Sequence, residues 1–342
     1  FGDNSKQPLG VGQGRWLPMK LELGNDPETG RPRQGLKSVW VYDDKHIVAT
    51  QQVEIIPGEQ SRLLDTCLVR YVIENQDNIN HTAGLRFMLD TFIGANDGVP
   101  FTVPGEKGLC DTMQEFNGPS AIPDFLEALE HDDLRNPGTV AHLHLKLGGP
   151  IPPPSRVTLG AWPNQELTKR NLASGAMAQL TGWDVPVLSM KTLFNLDPRH
   201  NLPDSCVVIY WQDQLLPPGA KREVGFTYGL GNVASGEGQG QLGLSMDGSF
   251  APGGEFTVTA YVTEPAAGQT VTLLLPEGFQ LLEGSATQVV PPLAPEANSR
   301  NSPVTWKVRA PAQEGDYVLK VQSSTGVSQT QPVTIRSQRI FD

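Results

Sequence analysis

The chain has 342 residues, a formal net charge of −11, 38% hydrophobic residues, and 36 Gly beside 29 Pro. That length favours two domains, and the apolar content suffices for packed cores, which excludes a wholly disordered chain. The acidic balance, with no Lys/Arg stripe, argues against a nucleic-acid-binding surface, and there is no uncharged apolar run of about 18 residues to cross a membrane as a helix.

The chain opens at Phe1 rather than Met, which suggests a removed export signal, and its first sixteen residues read as a polar, Gly-rich arm ending in Trp16. Strands are predicted at Leu17–Leu23, Ser38–Tyr42, Ile47–Ile56, Leu64–Glu74 and Ala83–Phe92. Further strands follow at Val140–Leu147, Arg156–Trp162, Cys206–Trp211 and Lys221–Tyr228. In Leu64–Glu74, Cys67, Val69, Tyr71 and Ile73 fall on one face and Arg70 and Glu74 on the other, as a half-buried sheet requires. One stretch, 123–131, reads as a short helix, with Phe125, Leu126 and Leu129 on one stripe. A β domain over 1–235 with a single helix exceeds a plain sandwich and points to a large two-sheet super-sandwich.

Residues 236–240 continue a Gly-rich stretch without hydrophobic periodicity and are read as a linker. Beyond it, 241–342 alternates apolar positions between turn signals: Phe256, Val258, Ala260 and Val262; Val271, Leu273 and Leu275; Val304, Trp306 and Val308; Tyr317, Leu319 and Val321. About seven short strands in about 100 residues is the expectation for an immunoglobulin-like β-sandwich, here without any cysteine. The fold class is therefore all-β. Cys67, Cys110 and Cys206 are too few for a disulfide framework and leave room for one bridge at most.

Leu68–Asn75 and Gly84–Phe101 carry an Asp-Thr, an Asn-Asp-Gly turn and a strand leading into it. Together with Trp162-Pro163 and the exit through Gly225–Gly231, they resemble predicted-exported bacterial β-rich proteins. The Leu273–Gly284 run is similar to the strand-turn-strand element of immunoglobulin-like modules on bacterial surface and secreted proteins. The resemblance spans nearly the whole chain and implies architecture and an extracellular or cell-surface location, without an assigned activity. A weaker likeness is to galactose-mutarotase-like super-sandwiches, though their Asn-His-x-Tyr-Phe-Asn element is absent.

Chemistry-bearing groups are sparse. Asp90, Asn96 and Asp97 place three hard oxygen side chains around a turn-rich loop, a set suited to Ca²⁺, although the spacing is not that of an EF-hand. The plainer reading is that Asn96-Asp97-Gly98 forms a tight turn through its own side-chain bonds. His142 and His144 share one strand face and read as solvated, as does the acidic group Glu127, Glu130, Asp132 and Asp133. No nucleophile elbow, Walker loop or zinc-helix motif is present, so no catalytic residue and no cofactor is assigned. The function expected is a non-catalytic exported assembly protein of the cell surface, self-associating through edge strands with further protein subunits. The alternative is a carbohydrate-binding or carbohydrate-modifying protein with a glycan partner, on a concave sheet face carrying some of its six Trp.

Overall fold

The computed structural model describes residues 14–17, 21–25, 30–58, 63–94, 96–104, 109–110, 112–132, 137–162, 183–189, 204–231, 234–235, 241–293 and 301–337. Among them there are strands and turns and no helix. The expected 236–240 linker and Pro163 lie outside the described residues, as does nearly all of the 1–16 arm.

The first unit comprises β1 (Arg15–Trp16), β2 (Leu21–Glu22), β3 (Gly35–Tyr42), β4 (Ile47–Ile56), β5 (Thr66–Asn75), β6 (His81–Asp90) and β7 (Phe101–Thr102). It continues with β8 (Leu109–Cys110), β9 (Gln114–Asn117), β10 (Phe125–Leu129), β11 (Val140–His144), β12 (Arg156–Ala161), β13 (Ser205–Leu216) and β14 (Lys221–Leu230). The second unit begins with β15 (Ala234–Ser235), β16 (Leu242–Gly248), β17 (Glu255–Thr263), β18 (Thr270–Leu274) and β19 (Gln280–Leu281). It ends with β20 (Thr287–Val289), β21 (Asn301–Arg309), β22 (Gly315–Ser323) and β23 (Ser328–Ile335).

In the first unit a ten-stranded sheet runs β1-β3-β4-β5-β14-β11-β10-β7-β8, with β2 also on β3, and a four-stranded sheet runs β6-β13-β12-β9. Strand periodicity decides what lies between them. Tyr71, Ile73, Val224, Phe226, Leu126, Ala128 and Leu143 from the large sheet meet Leu85, Val157, Leu159, Val207, Ile209 and Trp211 from the small one. Each fully buried Val, Leu, Ile or Phe among them contributes about 1.5–3 kcal/mol relative to exposure. In the second unit a sheet of order β15-β16-β17-β21-β19 faces one of order β20-β18-β22-β23. Leu244, Met246, Val258, Ala260, Val304 and Trp306 pack there against Val271, Leu273, Leu319, Val321 and Ile335.

Alternation in the second unit leaves Ser245, Asp247, Thr257, Thr259 and Tyr261 pointing out of its core, yet all are buried. They are covered because this sheet face lies against the outer face of β10 and β11. There Leu129, Val140 and Tyr261 form one apolar cluster. Asp124 takes Lys146 Nζ at 3.0 Å and Lys307 Nζ at 2.7 Å, the latter across the two units.

The helix expected over 123–131 is instead strand β10, paired antiparallel with β11 and β7. All five of its residues are buried, Leu126 and Ala128 on the core side and Phe125, Glu127 and Leu129 on the side facing the second unit. A strand covered on both faces shows a continuous apolar run rather than alternation, and that run also satisfies a helical stripe. The same cover corrects two further expectations. His142 and His144 are enclosed rather than solvated, and Glu127 is fully buried; Asp133 lies outside the described residues. All three cysteines are free thiols, with Cys110 and Cys206 buried and Cys67 half-buried.

Candidate metal centre

Asp90 is the last residue of β6 and stands opposite Cys206 in β13, so the segment entering β13 passes beside it. Ser205 holds the local geometry together. Its N–H donates to Asp97 O at 2.8 Å, and its carbonyl accepts the Thr91 N–H at 3.0 Å and the Thr91 hydroxyl at 2.8 Å. Ser205 and Thr91 are both buried. Trp162 N–H donates to Asp204 O at 3.0 Å, which fixes the residue before Ser205 against the end of β12.

The loop after β6 is folded back by reciprocal backbone bonds between Ile93 and Asn96, each 3.0 Å, and is anchored in the core by Ile93 and Val99. Gly94 sits at φ 62°, a left-handed conformation in which a Cβ would also run into the Glu130 carboxylate. Asn96 is consumed by this architecture. Its Oδ1 accepts Gly98 N–H at 3.0 Å and its Nδ2 donates to Glu130 O at 2.8 Å. The first is the local bond of a tight turn, as in the plainer reading of the sequence, and the second ties that turn to the end of β10.

Among the described residues, Asp90, Asp97 and Asp204 converge, with ligand-capable oxygens all within 4.8 Å of one another. The structure thus brings together two of the three residues singled out from the sequence, leaves Asn96 to the turn, and adds Asp204. The missing signal was strand pairing: Asp204 directly precedes an apolar strand, but nothing in the sequence says that this strand lies antiparallel to β6.

Electrostatics reflect the crowding. Burial first, and then the Asp97 charge, push the Asp90 carboxyl above its ordinary range. Burial pushes Asp204 up to about 6, with the Asp90 and Asp97 charges adding to it while the facing Trp162 indole favours the anion. The neighbouring Cys206 thiol is driven up by burial and then by Asp204 and Asp90. Asp204 Oδ1 and Trp162 Nε1 are both enclosed without a hydrogen-bond partner. Three like charges at this separation are relieved either by a shared proton or by a cation. The donor set is all carboxylate oxygen, the chemistry of a hard cation such as Ca²⁺, and the enclosed Asp204 Oδ1, which the Trp162 indole faces without reaching hydrogen-bond geometry, is an acceptor such an ion would satisfy. Phe92, two residues from Asp90, is strongly exposed, and Trp162 is half-buried beside Asp204. Trp183 packs edge-on to Tyr210 at 5.8 Å and is likewise half-buried.

No family model and no curated protein matches this chain. Among solved structures it is similar to a polysaccharide lyase, at 12% identity and a TM-score of 0.28, covering 96% of this chain and 40% of that one. It is also similar to a putative aldose 1-epimerase from Escherichia coli K12, at 8% identity and a TM-score of 0.31, covering 65% of this chain and 80% of that one. This chain thus spans about 40% of the length of the lyase. Superpositions this loose fix neither fold nor function.

Proposed function

We propose that the protein is a carbohydrate-binding or carbohydrate-modifying protein whose ligand site forms around a divalent cation, Ca²⁺ by its chemistry, at Asp90, Asp97 and Asp204. The observation that carries this reading is the convergence of three carboxylates, one with an enclosed and unpartnered oxygen. Ca²⁺ takes about six to eight oxygens, so three carboxylates leave positions for waters or for paired hydroxyls of a sugar. The exposed ring of Phe92 offers an apolar surface at the same rim for the C–H face of a pyranose.

So few charged ligands imply weak affinity, on the order of 10⁻⁴–10⁻³ M, which suits the calcium level outside cells. An exported, extracellular location therefore belongs to the proposal. We read the first unit as a galactose-mutarotase-like super-sandwich, supported by ten- and four-stranded sheets about one core, and the second as immunoglobulin-like, supported by its five- and four-stranded sheets. The surface-assembly role expected from the sequence gains no support from the described residues, and the glycan reading takes precedence over it.

Calorimetric titration with CaCl₂, followed by a glycan array run in Ca²⁺ and in EDTA, tests the reading. Millimolar Ca²⁺ is expected to bind once, and sugar capture is expected only with Ca²⁺ present. No heat of Ca²⁺ binding would remove the cation, and an array silent in both conditions would remove the glycan.

A further inference from the structure

We propose that the junction between the two units is an acid-sensitive latch, in which protonation of His142 and His144 forces the second unit off the outer face of β10 and β11. Both rings project from β11 into the junction, with centroids 6.4 Å apart, and the Phe125 ring packs on His142 at 4.9 Å. Two added positive charges would therefore face each other in an enclosed space.

The surrounding groups offer them little compensation. Asp124, the carboxylate facing His144, is already shared by Lys146 from the same side and Lys307 from β21. From β10, Glu127 lies directly across from His142 but turns its carboxyl to the Thr102 hydroxyl at 2.9 Å, with Ser245 from β16 and Tyr261 from β17 facing it. Cys110 from β8 stands beside Tyr261. The β14 residues opposite the histidines, Gly229 and Thr227, carry no charge. Asp247 from β16 is the exception, its Oδ1 3.2 Å from His142 Nε2, but the two do not meet in hydrogen-bonding geometry. Burial, the largest influence on His142, nevertheless keeps the ring neutral while the junction is closed.

Burial holds His142 down to about 3 and His144 down to about 4 while the latch is closed. Once opened, both rings return to the ordinary 6.5, so the closed state loses ground as pH falls below that value. Glu127 works in the opposite direction. Burial raises it from 4.5 to about 7, so closure costs least when it is protonated, and it offsets part of the histidine effect on acidification. Together these give an opening constant that changes little between pH 8 and 6 and rises about tenfold from pH 7 to 5.

Hydrogen–deuterium exchange of the full chain, corrected for the intrinsic pH dependence, tests this directly. Peptides covering 125–144 and 242–263 are expected to lose about tenfold protection between pH 7 and 5, while β18 and β22 in the second core keep theirs. Glu127→Gln, which cannot ionise, should steepen the loss to about 500-fold over the same interval. Unchanged protection, loss shared equally by β18 and β22, or a Glu127→Gln response no steeper than the parent would each overturn the latch. A wild-type measurement keeps the proposal exposed if the variant does not fold. Two of the six imidazoles should titrate below pH 5 by carbon–proton NMR, and six ordinary titrations near pH 6.5 would sink it.

Discussion

The acidic cluster at the ends of β6 and β13 and the buried Glu127 of β10 both hold carboxyls that give up their protons reluctantly, for reasons that differ in a useful way. At Glu127 burial acts alone, opposed only by the Thr102 and Ser245 hydroxyls. At Asp204 burial is joined by two neighbouring anions. A group raised by its surroundings can be relieved only by a proton or by exposure. A group raised partly by like charges can also be relieved by a cation, and Asp90 and Asp97 can supply further ligands. Of the two regions, the first unit's strand ends therefore have the makings of an ion site, while the junction has those of a proton switch.

The junction is the more sensitive of the two regions to loss of a single side chain. Leu129 is fully enclosed in the cluster with Val140 and Tyr261. Leu129→Ala should cost about 3 kcal/mol of urea stability through lost burial and the remaining cavity. Because the side chain bridges the two units, the loss should appear first as exchange across β10, β11 and β17, with the second core protected. A uniform loss throughout the chain would mean that the units do not separate before unfolding.

The cluster should respond with the opposite sign. Asp204→Asn removes one of three crowded charges, so without Ca²⁺ the variant should be more stable at pH 7 by about 1 kcal/mol, once solvent screening of this half-exposed site is allowed for. The sign follows from the raised carboxyl. Its penalty is present above about 6 and disappears as pH falls towards the ordinary 3.8, so the advantage of Asp204→Asn should shrink between pH 6 and 4. In the parent, ~10 mM Ca²⁺ acting on a ~1 mM site should raise stability by about 1.4 kcal/mol, and the variant should lose that gain. Thermal melts with and without Ca²⁺ read both effects. A destabilised Asp204→Asn that still responds to Ca²⁺ would place any ion elsewhere.

What the sequence made legible follows the same division. Ile47–Ile56, rich in β-branched residues and half-buried along most of its length, forms strand β4 with the expected ends. The alternating runs around Val258 and Trp306 likewise became β17 and β21. Where a strand is covered on both faces, as Phe125–Leu129 is, the pattern lost its period and read as a helix. The enclosure of His142 and His144 was invisible for a related reason. Polar side chains on an outward face look solvated until a second unit is laid over them, and nothing local marks Ser245 or Asp247 as the cover. Asp90 and Asp97 could be picked out because nine residues of turn-rich sequence hold both. Asp204 could not, because only the β6–β13 register brings it within reach.

Asn96 gives the smallest effect and separates turn from site. Its side chain bonds Gly98 N–H and Glu130 O, and its oxygen is not among the converging three. Asn96→Ala should therefore cost about 1 kcal/mol, the net worth of hydrogen bonds lost at a partly buried turn, and leave the Ca²⁺ response of the melt intact. If Ca²⁺ sensitivity vanished along with that stability, the turn would be part of the site, either as a ligand or as the support that holds Asp97 in place. Asn96→Asp discriminates the two. It keeps the Oδ1 that accepts Gly98 N–H but adds a fourth negative charge beside the loop, so it should restore turn stability in Ca²⁺ only if residue 96 reaches the ion. A variant that gains from Ca²⁺ only what the parent gains leaves the centre to Asp90, Asp97 and Asp204.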